Sequence, residues 1–163
     1  MSHDWLLFTK YFIVTGKGIS EISPLNAFDK ALMDAGIAQC NLVCVSSIIP
    51  KDAREIDPVK IPAGNITFVV MAKENGNGGE LISAGVGVAI CKEHGLVAEA
   101  FGKMSEEDLK KELDRKLKEM VNARNFSTQE IKYKTISLKV PEGKYGSVVA
   151  CLLYTSPSPR DRG

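Results

Sequence analysis

Few side chains in this sequence are arranged for covalent or proton-transfer chemistry, and most familiar arrangements are missing. Cys40, Cys44, Cys91 and Cys151 match no zinc spacing, and the histidines are only His3 and His94. In a reducing compartment such cysteines read as small buried thiols. Gly76-Asn77-Gly78-Gly79 lacks the Lys-Ser/Thr that completes a phosphate-binding loop, and reads as a turn. Hydroxyls, carboxylates and an amide remain. Ser46-Ser47 ends an apolar run and, taken alone, is a strand running into a turn. Val97, Glu99 and Phe101 share one face of a strand by the two-residue period. A carboxyl between two apolar neighbours is desolvated, which raises its pKa and keeps it protonated as an acid. The same spacing also suits an edge strand with Glu99 facing water. Asp29 lies off the apolar stripe of its helix and reads as a solvated residue; Asn41 reads as a strand-start asparagine.

The elements that must position these residues are punctuated clearly. A strand is expected over 11–15, ended by Gly16 and Gly18. Ser23 as N-cap, Pro24 at the first helical position and Gly36 at the C-terminal cap delimit a helix. Its apolar face is expected to carry Leu25, Phe28, Leu32 and Ala35. Residues 41–47 read as one strand closed by Pro50, and the charged, proline-containing stretch 51–63 as a surface connection. Strands are expected at 66–72, 81–91 and 95–101, the first pair joined by a turn at 74–79 and the second by a hairpin. Ser105 and Asp108 form a capping box for a helix over 106–124, with Leu109, Leu113, Leu117, Met120 and Val121 as its apolar stripe. Alternation over 131–140 and a last strand from Gly146 bring the total to about seven strands and two helices. One apolar face on each helix argues for an α+β fold of αββα type, a layered sandwich of mostly antiparallel sheets covered by helices.

Three ordered blocks carry a resemblance. They are Pro24-Leu25-Asn26-Ala27-Phe28-Asp29 with Ala31-Leu32 and Ala35-Gly36-Ile37, then Asn41-Leu42-Val43-Cys44-Val45-Ser46-Ser47-Ile48-Ile49-Pro50. The third joins Glu80-Leu81-Ile82-Ser83-Ala84 to Gly95-Leu96-Val97-Ala98-Glu99-Ala100-Phe101-Gly102-Lys103. Together, over roughly residues 11–150, they resemble the pyruvoyl-dependent arginine decarboxylases of archaea and some bacteria. The resemblance implies self-cleavage between Ser46 and Ser47 into chains 1–46 and 47–end, with Ser47 converted into a covalently bound pyruvoyl group. That cofactor would decarboxylate L-arginine to agmatine, in polyamine synthesis, without a metal. The same resemblance gives Glu99 the role of proton donor, Asp29 that of guanidinium partner and Asn41 that of an aid to cleavage. A carboxylate suits the planar guanidinium fork. On one extended strand, Asn41 and Ser47 would stand about 20 Å apart. Asn41 would therefore act across a subunit interface, in keeping with the homotrimer, or dimer of trimers, that the resemblance implies. Two other readings stay open: the same chemistry on another amino acid, and a non-cleaving trimeric binding module.

Bulk properties narrow the partners. The 163 residues are 44% apolar, with 21 Lys plus Arg against 20 acidic residues, for a net charge of +1. That length fits one domain, and the balance of charge offers no field to gather nucleic acid or an anionic membrane. No run approaches the roughly 20 apolar residues of a membrane span, and a cytoplasmic protein is expected. The end is unlike the rest. Cys151-Leu152-Leu153-Tyr154-Thr155-Ser156-Pro157-Ser158-Pro159-Arg160-Asp161-Arg162-Gly163 can be written as the translation of a common sequencing adapter, so 151–163 is expected to be a non-native tail on a single domain of 1–150.

Overall fold

The computed structural model describes residues 5–155, which form nine strands and two helices. In chain order these are β1 (Lys10–Ser20), α1 (Pro24–Asp34), β2 (Asn41–Cys44), β3 (Ile48–Ile49), β4 (Arg54–Glu55), β5 (Ile66–Asn77), β6 (Leu81–Cys91), β7 (Gly95–Gly102), α2 (Glu106–Arg124), β8 (Thr128–Lys139) and β9 (Tyr145–Thr155). Five strands make one sheet in the order β2-β5-β9-β1-β4, and four make the second in the order β3-β7-β6-β8. Pairing is antiparallel except for β1 with β4 and β2 with β5. Alternation along the strands sorts the apolar side chains into three layers. Val70, Ala72, Val86, Val88, Val148 and Leu152 meet between the sheets. Phe12, Ala31, Val149 and Leu153 lie with α1, and Leu96, Ala98, Leu109 and Leu113 with α2. The expected αββα sandwich is the observed architecture.

Both helices sit on sheets at glycines. In β1, a Cβ on Gly18 would stand 2.3 Å from the Ala27 carbonyl oxygen, and one on Gly16 would stand 2.1 Å from that of Ala31. The inner face of α1 is accordingly Ala27, Ala31 and Ala35, with Phe28 and Leu32 at its flanks. Leu25, expected on that face, is 74% exposed, because the close approach at β1 admits only small side chains. The strand expected to stop at Gly16 runs on to Ser20 for the same reason: these glycines accommodate a helix and do not end a strand. In β6, Gly85 and Gly87 receive Leu109 and Leu117 of α2, each 2.8 Å from a would-be Cβ. The caps stand where expected. Ser23 accepts from the Asn26 N–H and Ser105 from the Asp108 N–H. Gly36 follows α1 at φ +80°, a left-handed conformation suited to glycine.

Further expectations meet a different structure. Residues 41–47 are not one strand: β2 ends at Cys44 in the first sheet, and the chain re-enters pairing as β3 in the second. The connection 51–63 contributes β4, paired with β1. The turn expected at 74–79 is shorter, since β5 continues to Asn77. At the C-terminal end, β9 is the central strand of the first sheet and continues through Thr155, with Cys151–Tyr154 buried between α1 and the second sheet. The boundary drawn at 150 thus falls inside a paired strand; 156–163 lie outside the described residues.

The glycine notch makes a direct prediction. Gly18→Val forces a side chain into backbone atoms and should destabilise by about 3 kcal/mol or more. Gly36→Ala, which has open space but a positive φ, should cost about 1 kcal/mol. Urea unfolding midpoints measure both. Equal losses would remove the close approach as the cause.

Candidate active site

The segment 45–47 is the point where the chain changes sheets, and it is held on both sides. The Val45 N–H donates to the Val69 carbonyl of β5 at 2.9 Å, and the Ser47 carbonyl accepts from the Val97 N–H of β7 at 2.9 Å. The Ser46-Ser47 peptide spans the interval. Ser46 is exposed and Ser47 half-buried. Immediately downstream, the Tyr154 hydroxyl donates to the Ile48 carbonyl at 2.8 Å, so the sheets are tied together on the far side of the crossing as well.

Beyond its two-residue pairing with β3, the outer edge of β7 opens onto a cavity of about 490 Å³. That volume falls within the ~300–1,000 Å³ of small-molecule sites. Ser47, Val97 and Glu99 line one side, and Lys116, Met120 and Arg124 of α2 line the other. Glu99 has the same strand parity as Val97, whose side chain packs between the sheets. Burial raises the Glu99 carboxyl above its ordinary value, and the Lys116 ammonium works against that rise. Glu99 is also within electrostatic reach of Cys151, whose thiol is pushed up to about 12, chiefly by burial and then by Cys44 and Glu99. The edge itself is capped: Lys116 Nζ donates to the Glu99 carbonyl oxygen at 2.8 Å.

Within one chain the structure brings Ser47 and Glu99 together and leaves Asn41 and Asp29 elsewhere. Asn41 opens β2, where its Nδ2 donates to the Gly64 carbonyl at 2.8 Å and its N–H to the Asn65 carbonyl at 2.9 Å. Asp29 is exposed on α1, which covers the outer face of the first sheet, while the cavity lies at the edge of the second against α2. Two groups at the site were not singled out from sequence. The Val97 N–H carries no residue-type signal at all. Lys116 flanks the Leu113, Leu117 and Met120 stripe, a position readable from helical spacing, although its target is not. Among the described residues, no group of His, Cys, Asp or Glu is placed to hold a metal ion. Among these residues, no helix is long and apolar enough to cross a membrane.

The arrangement suits self-processing followed by proton transfer. Attack by Ser47 Oγ on the Ser46 carbonyl would close a five-membered ring within the dipeptide, with proximity supplied by covalent structure. The bonds to Val69 and Val97 fix the planes on either side. A pyruvoyl group at position 47 would keep the Ser47 carbonyl, and with it the Val97 hydrogen bond. It would face the same cavity as a carboxyl held toward its protonated form, so the residues present fit that group.

Comparison with known proteins agrees. The sequence model described as pyruvoyl-dependent arginine decarboxylase matches residues 10–159. A pyruvoyl-dependent arginine decarboxylase of Methanopyrus kandleri is 36% identical over 146 residues, 89% of this chain and 95% of the relative. Proteins of the same description from Pyrococcus abyssi and Methanothermobacter thermautotrophicus are each 33% identical over 80% of this chain, covering 85% and 86% of the relatives. With most of its length matched, and the second serine of the pair and a desolvated carboxyl at one cavity, the chain belongs to the pyruvoyl-dependent arginine decarboxylase family.

Proposed function

We propose that this chain cleaves itself between Ser46 and Ser47 and then decarboxylates L-arginine to agmatine. The observation that carries the reading is the shared cavity of Ser47 and Glu99 at the inter-sheet crossing. In the first stage Ser47 Oγ attacks the Ser46 carbonyl carbon and exchanges the amide for an ester. Elimination releases the Ser46 carboxylate, and hydrolysis with loss of ammonia leaves a ketone at residue 47. Chain 1–46 ends at Ser46, and the second chain begins with the pyruvoyl group. That group supplies an electrophile that binds the substrate amine and takes up the electrons left when carbon dioxide departs. Val97 holds the carbonyl of residue 47 in place. Glu99 supplies the proton that replaces the carboxylate, a task suited to a carboxyl raised by burial.

Asn41 and Asp29 take their roles from a neighbouring subunit. Both lie away from the cavity of their own chain, and Asp29 is exposed for a guanidinium to approach. A symmetric trimer, alone or paired into a hexamer, would also cover the exposed apolar side chains Val43, Val45 and Ile66 along the β2 edge and Ile48 of β3. The four cysteines are free thiols, as suits a protein of the reducing cytoplasm. Small-molecule turnover, without nucleic acid or membrane, is the function this implies.

Intact mass under denaturing conditions should show two fragments, the larger with a blocked N-terminus, whereas Ser47→Ala should remain one chain. A wild-type protein that stays intact is a binding module and not this enzyme. Among arginine, ornithine, histidine and aspartate, arginine should release carbon dioxide fastest; a different winner reassigns the substrate. Glu99→Gln should still cleave, yet lose about 10²-fold or more in kcat. Since the protonated form is the donor, wild-type activity should fall as pH rises through the Glu99 pKa. Asn41→Ala should slow cleavage; cleavage at the wild-type rate would remove Asn41 from the mechanism.

A further inference from the structure

Most cations of α2 have partners other than the site: Lys110 lies over the Tyr133 ring, and Arg124 donates to the Met120 carbonyl. Lys111 pairs with Glu107, Arg115 with Glu112 and Lys118 with Asp114, each along the helix. Lys116 instead reaches across to the sheet and donates to the Glu99 carbonyl at 2.8 Å. That carbonyl belongs to the stretch of β7 that β3 no longer covers. We propose that Lys116 is a positioning residue for Glu99: its ammonium fastens the open edge of β7 and sets a positive charge beside the carboxyl that delivers the proton. The inference rests on the decarboxylase reading above and deepens it.

The physical need is specific. An edge strand left with an unpaired carbonyl slides and frays, and the side chain it carries moves with it. A carboxyl buried without a nearby cation would hold its proton too firmly to release it readily. One ammonium meets both conditions. Other charged and titratable groups near Glu99 are few. From α2 the cavity receives Glu119 and Arg124 besides Lys116; Cys151 of β9 is the thiol in range. Opposite Glu99 on β6 stands Val86, and the inner face of β5 offers Val70 and Ala72, all uncharged.

The test compares Lys116→Met, Lys116→Gln and Lys116→Arg. Removing the charge should lower kcat on the order of tenfold with little change in KM. It should also move the alkaline limb of the pH–rate profile to higher pH, because Glu99 then holds its proton longer. Lys116→Arg, which keeps charge and donor, should stay at the wild-type profile. A fall in kcat with the limb unmoved in both Met and Gln variants, or an Arg variant as impaired as Met, would overturn the proposal. A second readout needs no turnover. In the uncleavable Ser47→Ala protein with ¹³C-labelled glutamate, assigned by difference against Ser47→Ala/Glu99→Gln, the Glu99 carboxyl should titrate at higher pH when Lys116 is Met or Gln. Superimposed titrations would sink the role of Lys116 and leave the decarboxylase reading standing. A wild-type protein that releases no carbon dioxide from any amino acid sinks only the latter.

Discussion

Everything at the site depends on how little chain is available to cross from one sheet to the other. Stacked sheets stand about 10 Å apart, and three extended residues reach about 10 Å. Val45 is bonded to β5 and Ser47 to β7, so residues 45–47 make the whole crossing, with a bend at Ser47. A short, partly exposed peptide held by a hydrogen bond at each end has little room to join either sheet or form a helix. The covalent chain keeps the serine hydroxyl within reach of the carbonyl beside it, and the two anchors hold the peptide that carries both. The crossing also explains why β2 and β3 are short and stand at sheet edges: each is a landing point for the crossing rather than a structural member in its own right.

The anchors hold only if the sheets are rigid, and their rigidity comes from the interior strands. β6 and β9 are buried along nearly their whole length, paired on both sides and covered above and below. Each fully buried Val or Leu contributes about 1.5–3 kcal/mol of burial free energy, so these strands dominate the stability of the sandwich. The helices are clamped by shape, with α1 against Gly16 and Gly18 and α2 with its leucines over Gly85 and Gly87. Clamping α2 in this way keeps Lys116, Met120 and Arg124 opposite β7, and so gives the cavity its second wall. Residues 151–155 belong to this interior: Leu152 packs between the sheets, Leu153 lies under α1, and Tyr154 ties β9 to the strand that follows the serine pair.

Local electrostatics then set the chemistry. The site has little charge to work with, because half of the ions of α2 are paired with one another on the solvent side, where water and salt screen them. Glu99 lies in the opposite regime, half-withdrawn from water, where burial outweighs one partly screened cation. The result is a carboxyl inclined to keep its proton, as a donor requires, with a nearby charge that limits how tightly it does so.

Sequence alone determined the layers, both helices and their caps. These rest on local rules: the N-caps at Ser23 and Ser105, the 3.6-residue stripe of Leu109, Leu113 and Leu117, and the alternation of Val97, Glu99 and Phe101 are all short-range. It also singled out Ser47 and Glu99 as partners, and the family resemblance together with the strand period made that pairing legible. What it misread involved contacts between distant segments. Gly16 and Gly18 looked like strand ends because the backbone of α1 that presses on them lies a loop away. Residues 41–47 looked like one strand because nothing in Val45-Ser46-Ser47 announces a change of sheet. Only the tertiary structure decided that the serine pair is a bridge, that Lys116 reaches the Glu99 carbonyl, and that Asp29 lies apart from the cavity of its own chain. Periodicity fixes which way a side chain faces, whereas the distance between two elements is set by packing, and packing is a property of the whole chain.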